Sequence, residues 1–142
     1  MKTEQFDNLS VFDRWDGVAS LVRSGLDWSK GDLTALDILR MVGDGRMQLW
    51  IFSKEEIEAV MVTELLEYPQ RKVCSIVCFA GRGMRGVFEE AREYVVNWAL
   101  ANGCEGIEAR CRPSMVRMLA RLGFNEKYTI VKLALAREGE GL

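Results

Sequence analysis

The chain has 142 residues, 49% of them apolar and 28% charged, and a formal net charge of −2. That length suits one domain with a real core, and that balance excludes a disordered chain and a globally basic nucleic-acid binder. No apolar run reaches the length of a membrane span, and the opening Met1-Lys-Thr-Glu-Gln5 lacks the apolar centre of a secretion signal, so no membrane contact and a cytoplasmic location are expected.

Residues 1–10 are polar and read as a loose lead-in. From Ser10 to Gly25 the residues Val11, Phe12, Trp15, Val18, Ala19, Leu21 and Val22 recur at helical spacing, with Ser10 as N-cap and Gly25 as stop. A second helix is expected over Leu33–Val42, ended by Gly43-Asp-Gly45. The period then changes. Met47–Phe52, Ile57–Leu66 and Lys72–Ala80 read as three antiparallel strands joined by turns at Ser53–Glu56 and Tyr68–Gln70, with a helical reading of Ile57–Leu66 left open by its Glu and Leu residues, and the continuously apolar third strand needs cover on both faces.

The turn Gly81-Arg-Gly-Met-Arg-Gly86 follows, and then a long helix with Val87, Ala91, Tyr94, Val95, Trp98 and Ala99 on one side. Ile107–Cys111 reads as a strand, Pro113 opens a short helix that Gly123 ends, and Tyr128–Leu135 reads as the last strand. The tail 137–142 is polar and expected to be loose. One domain of class α+β results, its mixed, mostly antiparallel sheet covered by helices on both faces. A strand feeding a Gly/Arg turn that opens a helix is an anion site in waiting, because the first N–H groups of the helix have no internal partner.

The cysteines Cys74, Cys78, Cys104 and Cys111 form no Cys-x-x-Cys pair and the chain has no histidine, so no metal site is expected and the thiols read as small buried hydrophobes. Without histidine there is also no histidine-dependent triad. Trp15, Trp28, Trp50 and Trp98 read as core and cleft walls. Arg110, Arg112, Arg117 and Arg121 are spread over a strand and a helix, so nucleic-acid binding is not expected.

Three passages resemble the GNAT superfamily of acyl-coenzyme-A N-acyltransferases: the apolar strand ending in Phe79-Ala80 before the turn, the stretch Trp98–Ala109, and Met118-Leu-Ala-Arg-Leu-Gly-Phe124. The likeness runs from Met47 to Leu135. The Gly-Arg-Met-Gln-Leu-Trp stretch before the strands is similar to that of small phage-encoded GNAT-like proteins. The resemblance implies a GNAT-like fold, with acetyl-CoA as co-substrate and its pyrophosphate held by Phe79, Ala80, Gly81, Arg82, Gly83, Met84, Arg85 and Gly86. The family's Arg/Gln-x-x-Gly-x-Gly/Ala pattern is not reproduced in any frame, and Leu119 and Arg112 stand where a tyrosine and an asparagine are common.

The implied reaction is acetyl transfer to a primary amine by direct attack, on a small-molecule or protein acceptor. It needs a carboxylate base and an acid for the departing thiolate. Glu64 and Glu67 are the carboxylates nearest the expected cleft. Tyr128 and Tyr68 are the candidate acids. Cys78 as nucleophile would lack a histidine to activate it. The alternative is a GNAT-fold binding or virion-associated phage protein without catalysis. A homodimer is left open.

Overall fold

The computed structural model describes residues 1–136; the tail 137–142, expected to be loose, lies outside the described residues. Five strands, β1 (Lys2–Phe6), β2 (Gln48–Ser53), β3 (Ile57–Tyr68), β4 (Arg71–Gly81) and β5 (Gly106–Ala109), form one sheet in that order. Neighbours are antiparallel except β4 and β5, which run parallel. Four helices, α1 (Ala19–Gly25), α2 (Ala35–Gly43), α3 (Met84–Ala101) and α4 (Pro113–Arg121), cover the two faces. The α+β class with helices on both faces is as expected.

Alternation along the strands divides the core. Leu49, Ile51, Val60, Val62 and Ala80 pack under α1 and α2 with Val22, Ile38 and Val42. Trp50, Phe52, Met61, Ile76 and Phe79 pack under α3 and α4 with Phe88, Val95 and Leu119. Trp50 is fully buried, with Tyr94 and Trp98 edge-on to its ring. Its Nε1–H donates to Thr63 Oγ1 at 2.9 Å, and that hydroxyl donates on to Gln48 Oε1 at 2.8 Å. The buried polar chain therefore leaves none of these groups without a partner.

α2 starts as its sequence dictates: Thr34 accepts from the N–H of Asp37, and the Asp37 carboxylate accepts from the N–H of Thr34. The backbone hydrogen bond from Thr34 holds the Asp37 carboxyl below the usual carboxylate range. No helix among the described residues is long and apolar enough to cross a membrane.

Three elements depart from expectation. First, the lead-in is not loose. Lys2–Phe6 is an edge strand paired residue for residue with Ser53–Leu49. Its polar letters suit an edge with one wet side, and Glu4 is held by the Arg14 guanidinium, which also lies over the Phe6 ring. Second, the helix expected from Ser10 is two 3₁₀ turns, Leu9–Asp13 and Trp15–Gly17, before the short α1. Asn8, not Ser10, is the cap, its side chain accepting from the N–H of Ser10, and Gly17 weakens any continuous helix through this point.

Third, Tyr128–Leu135 forms no strand and stands exposed. A strand needs an edge to pair with, and the ladder on β5 covers only Gly106–Ala109.

Candidate active site

The sheet opens at one point. β4 and β5 pair from Val73–Ile76 to Gly106–Ala109, and the N–H of Arg110 makes a last bond to the Ile76 carbonyl at 3.1 Å. Beyond Ile76 the two strands part, and Val77–Gly81 has a strand only on its β3 side. The parting coincides with a bulge. Val62 pairs with Cys78 and Thr63 with Ile76, so Val77 is one residue too many on β4. Val77 and Cys78 therefore both face α1, while Ile76 and Phe79 face α3.

The carbonyl freed at the bulge is taken by a side chain from the loop between α1 and α2. Trp28 Nε1–H donates to Val77 O at 2.8 Å. The Arg110 guanidinium lies 5.5 Å from the Trp28 ring centre, stacking a cation on its outer face. Helix α1 reaches the strand because Gly25 has no side chain: a Cβ there would lie 2.4 Å from Cys78 Sγ. The slot between the strands is lined by Trp28, Phe79, Phe88, Arg112, Met115 and Met118, and its free volume is about 20 Å³, room for about one water.

The far end of β4 runs into the turn. Gly81 has φ of +146°, and a Cβ there would lie 2.2 Å from Glu58 O, so only glycine fits the bend. The N–H of Arg82 ties the bend to that same carbonyl at 2.8 Å. Gly83 is left-handed and precedes the first turn of α3, which has no side-chain cap. The N–H groups of Met84, Arg85 and Gly86 thus lead the helix without a capping acceptor. A Cβ at Gly83 or Gly86 would meet nothing within 4 Å, so the approach to these amides is open.

Arg85 pairs with Glu89 one turn along, and no ion pair among the described residues involves Arg82. Phe79 stacks on Phe52 and Phe88, and Ala80 is buried under α1.

The candidate carboxylates separate. Glu64 is largely covered, with its Oε1 3.6 Å from the Arg110 guanidinium, and it shares the Trp28 face of the sheet with Glu108 through the row Glu64–Ser75–Glu108. Glu67 is exposed at the outer end of the β3–β4 hairpin, paired to Lys72 at 4.0 Å, and faces the other way. Tyr128 is 65% exposed; it belongs to a cluster in which Lys127 bonds Glu108 and lies 4.9 and 5.2 Å from the ring centres of Tyr68 and Tyr128.

Tyr68 donates its hydroxyl to Glu108 at 3.1 Å. Desolvation and then the Glu108 carboxylate push the Tyr68 hydroxyl above its ordinary range, while the hydrogen bond to Glu108 raises Lys127. So the structure brings Glu64, Tyr68 and Tyr128 to one side and leaves Glu67 apart.

The thiols are inert where the chain buries them. Burial pushes Cys74 and Cys78 up to about 12, and the Cys78 thiol donates to the Val22 carbonyl at 3.5 Å. Cys78 is no nucleophile. No group of three or more metal-ligating side chains occurs among the described residues.

Sequence reasoning missed the parting at Val77, the Trp28–Val77 bond and the Arg110–Glu64 pair. The only trace of the bulge in the letters is that the apolar run Val73–Ala80 is unbroken, so a slip in alternation leaves no mark. Trp28 had no signal beyond being an aromatic in a polar loop.

No protein-family model matches the sequence, and no curated protein matches it. Solved structures do resemble the fold. A tetramutant of the BH1408 protein from Bacillus halodurans is 19% identical with a TM-score of 0.71, over 95% of this chain and 100% of that one. The ribosomal-protein-alanine N-acetyltransferase of Brucella melitensis is 8% identical with a TM-score of 0.71, over 95% and 100%. An aminoglycoside acetyltransferase from an uncultured soil metagenomic sample, solved with sisomicin, is 11% identical with a TM-score of 0.69, over 95% and 96%. The GNAT-like architecture expected from the second half of the chain therefore extends over nearly all of it.

Proposed function

We propose that the chain is an acyl-CoA-dependent N-acyltransferase, acting in the cytoplasm, that passes an acetyl group from acetyl-CoA to a primary amine of a small-molecule or protein acceptor. The observation that carries this reading is the parting of β4 from β5 at the Val77 bulge, in line with the open amides that lead α3. An extended amide-bearing arm suits a strand with one free side, and a diphosphate suits uncapped helical N–H groups beside Arg82 and Arg85. The acetyltransferase neighbours share the architecture and support acyl transfer as the class of reaction.

The chain's own residues supply the rest. The amine nitrogen attacks the thioester carbon, a C–N bond forms, and the C–S bond breaks as the thiolate leaves. Glu64, freed from Arg110 or acting through water, takes the amine proton. A main-chain N–H of the bulge faces the developing oxyanion. Tyr68 or Tyr128 returns a proton to the sulfur, and the raised Tyr68 hydroxyl is in its neutral, donating form at neutral pH. Glu67, turned away at the hairpin end, has no part in this scheme.

Trp28 has to release the Val77 carbonyl before a pantetheine arm can enter, because the free volume of about 20 Å³ holds no such arm. That closure favours a second reading: a GNAT-fold binding protein without catalysis, of the kind a phage carries as a virion-associated module.

Titration calorimetry with acetyl-CoA separates the two. The transferase reading expects binding in the micromolar range, about tenfold weaker for Arg82→Ala with Arg85→Ala, with both proteins equally folded; each tenfold is about 1.4 kcal/mol. No heat at high micromolar acetyl-CoA leaves only the binding module.

A further inference from the structure

One side chain stands where the sheet parts and touches both groups that have to move in the proposed reaction. The backbone of Arg110 makes the last bond between β5 and β4, to the Ile76 carbonyl. Ala109, paired with Ile76, faces α3, so the next side chain, Arg110, leaves on the α1 face. Glu64 is on that face too, two residues beyond Val62 on β3.

The guanidinium makes two contacts at once. It is 3.6 Å from Glu64 Oε1 and 5.5 Å from the centre of the Trp28 ring. Trp28 in turn donates to the Val77 carbonyl and closes the slot. Base, guanidinium, indole and strand therefore form one unbroken chain from Glu64 to Val77. Arg112 adds a second hold from the β5 side, 3.6 Å from Asp27, the residue before Trp28.

Exposure decides which member of the pair can leave. The Glu64 side chain is 20% exposed and that of Arg110 43%, so the cation is the outer member. Among the described residues Glu64 has no other ion-pair or hydrogen-bond partner. A covered carboxylate that loses its cation needs another. The loop, too, has room: just past Trp28 the backbone is left-handed at Lys30 (φ +53°) and Gly31 (φ +92°), and a Cβ at Gly31 would meet nothing within 4 Å.

We infer that Arg110 is a positioning residue that couples the slot to the base. With the slot closed, it holds Trp28 on Val77 and keeps Glu64 neutralised. An arm entering the slot moves Trp28 and removes the platform under the guanidinium, which leaves Glu64 free to receive the amine proton. An ammonium arriving at Glu64 repels the guanidinium and loosens Trp28, because coupling between two sites acts equally in both directions. A filled slot and an unmasked base thus occur together. The purpose of the device rests on the transferase reading; the coupling itself is a property of the free protein.

The exchange of the Trp28 indole N–H with solvent, followed by two-dimensional NMR without coenzyme, reads that coupling. Four indole signals are expected, and Trp28→Phe identifies one by its loss. Trp50, fully buried and bonded to Thr63, is the internal reference. Glu64→Gln and Arg110→Ala should each speed Trp28 exchange about threefold, the scale of one cation–π contact. The double variant should be no faster than Arg110→Ala alone, since members of one chain of contacts do not act additively. n-Butylammonium chloride should speed the exchange beyond the same concentration of sodium chloride, and should lose that advantage in Glu64→Gln.

A Trp28 signal indifferent to Glu64→Gln overturns the inference, as do effects that multiply in the double variant or butylammonium that acts no differently from sodium. Trp50 exchange that rises in step with Trp28 overturns it as well, because the variants then loosen the whole fold. If acetyl-CoA binds neither the unmodified protein nor Trp28→Phe, the transferase reading falls, while the indole exchange still decides the coupling.

Discussion

The two halves of β4 are both made mostly of small or apolar residues, and their surroundings are opposite. Val73–Ile76 lies between β3 and β5, hydrogen-bonded on both sides. Cys78–Gly81 keeps β3 and loses β5, and what stands on its free side is a loop tryptophan, a glycine of α1 and three side chains of α4. The difference teaches where a sheet of this kind can take a ligand. The closed half is held by backbone ladders that a ligand cannot displace. The open half is held by side chains, which can move.

The comparison can be broken first in the closed half. Ile76 is buried under α3 at the closed end of the slot, and Ile76→Ala should lower stability by about 2–5 kcal/mol in urea unfolding. A loss under 1 kcal/mol would mean that the closed half is no anchor. At the far end, Gly81→Ala forces a side chain into the Glu58 carbonyl at a strained φ and should cost at least about 2 kcal/mol.

Smaller changes sharpen the comparison in the open half. Trp28→Phe removes one donor from a half-buried carbonyl, so thermal unfolding should record a loss of about 1 kcal/mol. The same variant should bind acetyl-CoA more tightly, because the Val77 carbonyl is then free. Weaker binding would make Trp28 part of the site rather than its stopper.

The smallest effect is a near-absence of reaction. With Cys74 and Cys78 raised to about 12 by burial, only about 10⁻⁴ of each is thiolate at pH 8, so iodoacetamide should label Cys111 first and these two hardly at all. A thiol whose folded pKa is raised favours the folded state fully below its unfolded value near 9, and that contribution disappears as pH climbs through about 12. The protein should therefore weaken between those values.

Most of the architecture was legible because α3 carries a helical period, while β2, β3 and β4 are short apolar runs punctuated by glycine or turn residues. The two ends of the chain were misread in opposite directions for one reason. Lys2–Phe6 looks too polar for a strand but finds the free edge of β2, whereas Tyr128–Leu135 has every letter of a strand and stays unpaired among the described residues. Strand formation depends on a partner that is often far away in the chain, and composition carries no record of it.

The same applies to the candidate site. The Gly81–Gly86 turn could be read because glycine is needed locally. Glu64 and Glu67 could be listed together, and the two-residue alternation along one strand already turns them to opposite faces; what the letters do not show is that Arg110 and Glu108 meet Glu64 on its side.

The register shift in β4 has a wider consequence. A strand counts its residues in twos, and the surplus residue at Val77 resets the count for everything downstream. Remove it, and Phe79 would turn from the aromatic layer into the aliphatic one, Ala80 would do the reverse, and the turn would leave the sheet rotated by half a revolution. Point substitutions can be absorbed one at a time along this stretch, but a change of length cannot, so β4 is fixed in its number of residues more firmly than in their kinds.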